Sequence, residues 1–194
     1  MKIAVILGTN CDNRLSEQLA QGVAEEAGGM EGTNVDLIDL KEYSLSIFDD
    51  AASSCPYQSK HATRTAQEWL DKIEKADAYV FVTPDIDHTI PSVLKNAFDY
   101  VTREMDEKPA AIVSYGGVGG SKAVARMKDA IGELRAVPIP AHVAISDVDD
   151  TVNDSESLAT QIIEHELDQH AAMKRMLREL RRYRDVLTAT GAYA

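Results

Sequence analysis

The sequence is poor in cysteine and in long apolar runs, and both shortages exclude classes of protein. Its 194 residues contain two cysteines, Cys11 and Cys55, too few for a disulfide scaffold or a four-thiolate metal site. No apolar run approaches the roughly 18 residues of a membrane span. The first apolar run ends at Gly8, without the longer apolar centre of a signal peptide. We therefore expect a cytoplasmic protein with no membrane partner.

Positive charge is also scarce. The formal net charge is -12, from 32 acidic and 20 basic residues. An acidic surface repels phosphate backbones, so nucleic acid is a poor choice of partner. The apolar content of 44% and charged content of 27% are ordinary for a folded protein, which excludes disorder as the main state. The length fits one domain, and we expect residues 1–194 to form it.

Short apolar runs alternate with segments of helical period, which predicts repeated β–α units. Strands are predicted at about 3–7, 35–40, 78–82, 110–113 and 137–145. Helices are predicted at about 15–27, 63–75, 93–101, 121–134 and 155–187, and a long loop at 41–60. Pro138 and Pro140 interrupt the last strand, which predicts a position at the edge of the sheet.

Five such units predict an α/β protein with a flavodoxin-like, doubly wound parallel sheet. The expected strand order is 2-1-3-4-5, with helices on both faces. Ligands of such sheets bind beyond the carboxyl ends of the strands, where the strand order reverses. That point lies between strands one and three. The loops after strands one, three and four should therefore build the site.

The loop after strand one favours a phosphate. It spans residues 8–16 and places hydroxyls, amides and Arg14 just before a helix, whose N-terminus attracts anions. Helix capping by Asp12 or Asn13 is the simpler interpretation of part of this set.

The other two loops suit a flat ligand. Prolines stiffen the loop at 83–91, which favours presentation of its backbone to a ring edge; a tight turn with Thr89 or Ser92 capping the next helix is the alternative. We interpret His88 there as a surface or ring-contacting residue rather than a catalytic one. The loop at 114–121 has four glycines within five positions, which let a ligand approach the backbone.

Three further patterns have plainer explanations. His165 and His170 lie five apart, so on a helix they point to different faces and no metal site is expected. Met173 and Met176 are predicted to pack in the core or an interface. Cys11 is better explained as a small residue in a tight loop than as a redox switch.

From Lys2 to about Ile145 the sequence resembles the NADPH-dependent FMN reductase family. The strongest likeness runs from Thr83 to Tyr100, which follows the family pattern T-P-E-Y-N-x-S-I-P-G-x-L-K-N-A-I-D-W. Residues 108–114 and the glycines after them resemble the fourth-strand motif of the family.

The first loop is similar to the family's G-S-x-R motif, and the chain departs from the family at several positions. Thr9 stands for the serine and Cys11 for the arginine, while Arg14 resembles a second arginine of some members. In the third-strand motif the departing residues are Asp85 for glutamate, Ile86 for an aromatic residue and Asp87 for asparagine.

The resemblance implies an enzyme that binds FMN and takes NADPH or NADH as co-substrate. It would reduce a flavin, a quinone or a similar small acceptor by hydride transfer, with the chemistry on flavin N5 and no catalytic side chain. The implied phosphate ligands are Thr9, Arg14 and Ser16. The implied ring contacts are Pro84, Asp85, Ile86, Asp87 and His88 on one edge, and Ser114, Tyr115, Gly116, Gly117 and Gly120 on the other. A homodimer or homotetramer is implied, with 90–104 and 155–187 as candidate interface segments.

Two alternatives remain open at this level. One is a flavin-dependent electron carrier or a regulatory binding module of the same fold, without turnover. In the module, the acidic Asp85 and Asp87 would mark a lost flavin site, and the chain would bind another phosphate ligand or act by oligomerising. Residues 10–16 do not match the T-x-T-G-x-T pattern of flavodoxins, which disfavours the carrier. The other is an NAD-binding Rossmann enzyme, but the G-x-G-x-x-G fingerprint does not follow strand one.

Overall fold

The backbone forms one parallel sheet in the order β2-β1-β3-β4-β5. The computed structural model describes residues 1–10, 14–48, 63–146 and 167–191. The strands are β1 (Lys2–Leu7), β2 (Asn34–Asp39), β3 (Ala78–Pro84), β4 (Pro109–Tyr115) and β5 (Val137–Ile145). The predicted fold class and strand order are confirmed.

Helices cover both faces of the sheet. They are α1 (Arg14–Gly28), α2 (Arg64–Glu74), α3 (Ser92–Asp99), α4 (Ser121–Glu133) and α5 (Leu167–Ala189), with a short 3-10 turn at Leu40–Glu42. Helices α1 and α5 pack on one face, and α2, α3 and α4 on the other. Apart from the start of α5, the predicted ends differ from the observed ones by at most two residues.

Some of the sequence predictions fall outside the described residues. The first part of the helix predicted over 155–187 lies there, and so do most of the loop at 41–60 and the capping residues Asp12 and Asn13. The same holds for Cys11, Cys55 and His165. None of the described helices has an 18-residue stretch apolar enough to cross a membrane.

The alternation of side chains along each strand divides the interior into two cores. In β1, Ile3, Val5 and Leu7 point towards α1 and α5, whereas Ala4 and Ile6 point to the opposite face. Strands β3 and β4 follow the same rule, so the three central strands are almost wholly apolar because both of their faces are covered.

Trp69 connects two of the helices on one face. Its side chain is fully buried, and its indole N–H donates to the Ala97 carbonyl at 3.0 Å. Ala97 lies in the last turn of α3, where carbonyls have no partner within the helix. The bond therefore satisfies a helix end and fixes α3 against α2.

The edge strand and the last helix agree with the sequence predictions. Strand β5 is at the sheet edge, and its register against β4 shifts between Ala110 and Ile112, opposite the segment that contains Pro138 and Pro140. On α5, Met173 and Met176 are buried in the core beside β5, which confirms the predicted packing.

A carboxylate on the outer strand β2 joins three elements. Asp36 contacts Lys2 of β1 at 3.3 Å and Lys72 of α2 at 2.9 Å. Burial alone would raise the pKa of Asp36, but the hydrogen bonds and charges of the two lysines hold it below its ordinary value. The pKa of Lys72 is correspondingly raised by its bond to Asp36.

Replacing Asp36 by Asn should lower the free energy of unfolding at pH 7 by about 1 kcal/mol, a modest value because both lysines are partly exposed. A carboxyl group whose pKa is lowered by folding stabilises the folded state at pH values above its pKa in the unfolded chain, which is about 4. This stabilisation is lost as the pH falls through the pKa of the folded state. The deficit of Asp36→Asn at pH 7 should therefore shrink as the pH is lowered below the ordinary carboxyl value of about 4. Urea titrations followed by the emission of Trp69 measure it, with the exposed Asp129→Asn as control. An equal loss of unfolding free energy at pH 7 and at acidic pH would contradict the ion-pair explanation.

Candidate functional site

The carboxyl ends of β1, β3 and β4 meet at one edge of the sheet. The N–H of Gly8 donates to the Val82 carbonyl at 2.8 Å, and the N–H of Asp85 donates to the Tyr115 carbonyl at 3.0 Å. Gly116 continues the ladder to the end of β5 through Ile145 at 3.1 Å. The structure thus brings together the three loops that the sequence singled out.

The first loop carries buried hydroxyl groups towards the start of α1. Thr9 and Ser16 are only 2% and 1% exposed, and Ser16 lies in the first turn of α1. Arg14 is the first residue of that helix. A helix start leaves backbone N–H groups without intrahelical partners and carries the positive end of the helix dipole. This geometry suits an anion.

Gly8 is required by packing rather than by a ligand. A Cβ atom there would lie 2.9 Å from the Leu94 side chain and 3.0 Å from the Val82 carbonyl. The close approach places the end of β1 directly against β3 and α3. Because of it, the first loop begins beside the loop that follows β3.

The second loop closes as a two-residue turn. The N–H of Ile86 donates to the Thr89 carbonyl at 3.0 Å, and the N–H of Thr89 returns to the Ile86 carbonyl at 2.9 Å. The central residues Asp87 and His88 have φ of 48° and 68°, as a primed hairpin turn requires. The tight-turn interpretation is correct, but the helix cap is Pro91 without a side-chain bond, so neither Thr89 nor Ser92 caps α3.

This turn determines which polar groups a ligand can use. The N–H groups of Asp85 and Ile86 are bonded within the loops, whereas those of Asp87 and His88 have no partner within the described residues. Asp85 Oδ1 is buried and has no hydrogen-bond partner among those residues either. The second loop therefore offers two exposed donors and one buried acceptor.

The glycine loop is held in a conformation that needs glycine. Gly119 and Gly120 both have φ of 69°, and a Cβ on Gly120 would lie 2.8 Å from Cβ of Ser114. The buried Ser114 hydroxyl donates to the Gly119 carbonyl at 2.6 Å and closes the loop. A Cβ on Gly117 would instead meet no atom of the described residues within 4 Å, so the backbone there faces open space among them.

Taken together, these features fit the parts of FMN. Thr9 and Ser16 at a helix start match the phosphate, and the donors and acceptor of the second loop match the polar edge of the ring. The open backbone at Gly117 and the exposed Ile86 and Val118 provide flat and apolar surface.

Sequence reasoning missed two side chains of the α3 region, Asn96 and Tyr100, that hold residues 46–48 of the segment after β2. Asn96 accepts from the N–H of Phe48 at 2.8 Å and donates to the Ser46 carbonyl at 2.9 Å. Tyr100 also donates to that carbonyl, and its ring contacts Phe48 edge-on. The available signal was the i, i+4 spacing of Asn96 and Tyr100, which places both on one face of a helix.

Comparisons with known proteins agree with this geometry. Residues 1–150 match the family model described as NADPH-dependent FMN reductase. The chain is 35% identical over 147 residues to an NAD(P)H-dependent FMN reductase of Schizosaccharomyces pombe, covering 75% of this chain and 72% of that protein. It is 30% identical to a 2-hydroxy-1,4-benzoquinone reductase of a Burkholderia species, covering 71% and 73%.

A solved structure shares the fold. The flavoenzyme NAD(P)H:(acceptor) oxidoreductase FerB of Paracoccus denitrificans superposes with a TM-score of 0.66 at 20% identity, over 94% of this chain and 98% of that one.

Gly120→Ala should destabilise the flavin-free protein by about 2 to 3 kcal/mol, because it combines a positive φ with a clash against Ser114. Gly117→Ala is the matched control, since its Cβ enters open space without a positive φ. Thermal unfolding should show a loss of several degrees for the first variant and little change for the second. Equal melting temperatures would contradict the described loop.

Proposed function

Because the chain belongs to the NADPH-dependent FMN reductase family, we propose that it holds FMN across its three site loops and passes electrons from NAD(P)H to a quinone-type acceptor. Family membership confirms the resemblance found in the sequence, and with it an FMN-dependent NAD(P)H oxidoreductase. The relatives are named as reductases, which does not favour the non-catalytic alternative.

The observation that carries the residue assignment is the meeting of the three loops at one sheet edge. We assign the phosphate to Thr9, Arg14 and Ser16 at the start of α1, where a helix favours an anion. The polar edge of the ring is assigned to the N–H groups of Asp87 and His88. Asp85 supplies a buried carboxylate oxygen that a ring N–H can satisfy.

FMN, when bound, supplies the redox chemistry by taking a hydride from NAD(P)H and returning electrons to an acceptor. The chain then has to bind, orient and shield the flavin. Ser114 fixes the glycine loop, and the turn at 86–89 holds its N–H groups in place through two backbone bonds. This division of labour explains why the site needs no nucleophile or general base.

The acceptor is proposed from the rim of the site. Ile86 is 40% exposed and Val118 is 70% exposed, so both loops that flank the ring carry an apolar side chain at the surface. A flat, neutral quinone gains from contact with such side chains. The benzoquinone reductase among the relatives supports the same class of acceptor.

We propose a single domain over 1–194, a cytoplasmic location and a homodimer or homotetramer. Helix α3 within the segment 90–104 is supported as an interface by Ile47, which is almost fully exposed beside Ser46, a residue bonded to that helix.

Purified protein should carry, or take up on addition of FMN, the visible absorption bands of a flavin. Those bands should bleach when NADPH or NADH is added without oxygen, because the bound flavin accepts the hydride. Addition of an acceptor such as 1,4-benzoquinone should then restore the flavin bands. A folded protein that takes up no FMN, or whose flavin is not bleached by either nucleotide, would contradict the proposed function.

Val118→Ser should lower kcat/KM for 1,4-benzoquinone by about threefold to tenfold, because it removes apolar surface from the rim. The rate of flavin reduction by NAD(P)H should stay the same. Val186→Ser is the matched control: it is similarly exposed, on α5, whose Arg181 contacts the turn between α1 and β2 at the other end of the sheet. An identical response of both variants would remove Val118 from the acceptor site.

A further inference from the structure

A side-chain hydrogen bond joins the loop after β1 to the loop after β4. The hydroxyl of Ser16, in the first turn of α1, bonds the phenol of Tyr115, the last residue of β4. The two residues are 99 positions apart, and β3 lies between β4 and β1 in the sheet. Both side chains are buried, Ser16 at 1% and Tyr115 at 5% exposure.

We propose that Tyr115 is a positioning residue for the phosphate of the flavin. It donates its phenolic proton to Ser16 Oγ and so directs the Ser16 proton towards the phosphate. The inference rests on the proposed function, because it needs Ser16 to meet the phosphate. It gives Tyr115 a task different from the ring contact implied by the sequence.

The direction of the bond follows from the chemistry of the three groups. Phosphate oxygens are acceptors, so Ser16 binds them only by donating its single proton. The lone pairs of Ser16 Oγ then remain to accept, and Tyr115 is the hydroxyl that can donate to them. A chain of this kind polarises each bond along it, which strengthens the last one to the anion.

The rigidity of Tyr115 makes it suitable for this task. Its backbone is paired on both sides, with Pro84 of β3 and Ile145 of β5. Its ring packs in the core formed under α1 and α5. The phenol is therefore a fixed point, and the first turn of α1 is placed relative to the sheet through it.

The test compares two ligands that differ only in the phosphate. The full chain, freed of flavin by dialysis, is titrated with FMN and with riboflavin, and the quenching of flavin fluorescence gives each Kd. Tyr115→Phe keeps the ring and the packing. It should raise the Kd for FMN by about threefold to tenfold and leave the Kd for riboflavin unchanged.

Two further variants separate positioning from stability. Ser16→Ala should weaken FMN binding by at least as much, and adding Tyr115→Phe to it should cause no further loss, because the two residues act through one bond. Tyr79→Phe is the matched control. It removes a buried phenol near the start of β3, at the end of the sheet away from the three loops. There the hydroxyl bonds to the backbone carbonyls of Ile73 and Glu104. The control should lower the melting temperature and leave the ratio of the two Kd values unchanged.

Three results would overturn the inference. An unchanged FMN Kd in Tyr115→Phe would show that Ser16 needs no support, and equal weakening of FMN and riboflavin would show an effect on the ring or the whole fold. Additive losses in the double variant would show two independent contributions. A wild-type protein that binds neither FMN nor riboflavin would overturn the proposed function as well. If the wild-type protein binds FMN and the variants give any of the three results, only the role of Tyr115 is overturned.

Discussion

The parallel hydrogen bonding of β1, β3 and β4 is the constraint on which the site depends. The ladder continues past the strands, from Gly8 to Val82, from Asp85 to Tyr115 and from Gly116 to Ile145. Apolar cores on both faces hold these strands, so their ends cannot shift without exposing side chains. A flat cofactor can be held at such an edge by backbone groups because the edge itself is fixed.

Each loop uses this fixed edge in a different way. Gly8 allows β1 to approach β3 closely, Gly120 allows the glycine loop to fold over Ser114, and the turn around Asp87 and His88 presents donors away from the sheet. The first loop adds the buried hydroxyl groups of Thr9 and Ser16, and the buried hydroxyl of Ser114 closes the glycine loop. The backbone therefore determines the shape of the site, and a few side chains determine its charge and its rim.

The bond between Ser16 and Tyr115 adds a connection that the ladder does not provide. Helix α1 packs on β1, β2 and β3, whereas Tyr115 belongs to β4. The bond places the start of α1, proposed to bind the phosphate, relative to the glycine loop, proposed to border the ring. The groups proposed to bind the phosphate and the groups proposed to border the ring are thereby both positioned by β4.

The sequence by itself determined the fold and the strand order, and it singled out the three loops that meet at one edge of the sheet. These follow from local patterns: apolar runs such as 3–7 need cover on both faces, and alternating strands and helices leave few topologies. It also offered a tight turn after β3 as one of two interpretations, and it singled out the glycine loop after β4. The tertiary structure alone decided which groups meet: Asn96 with Ser46, Tyr115 with Ser16, and the buried Asp85 oxygen without a partner among the described residues. These contacts join residues that are distant in the chain, and periodicity carries information only about neighbours on one element.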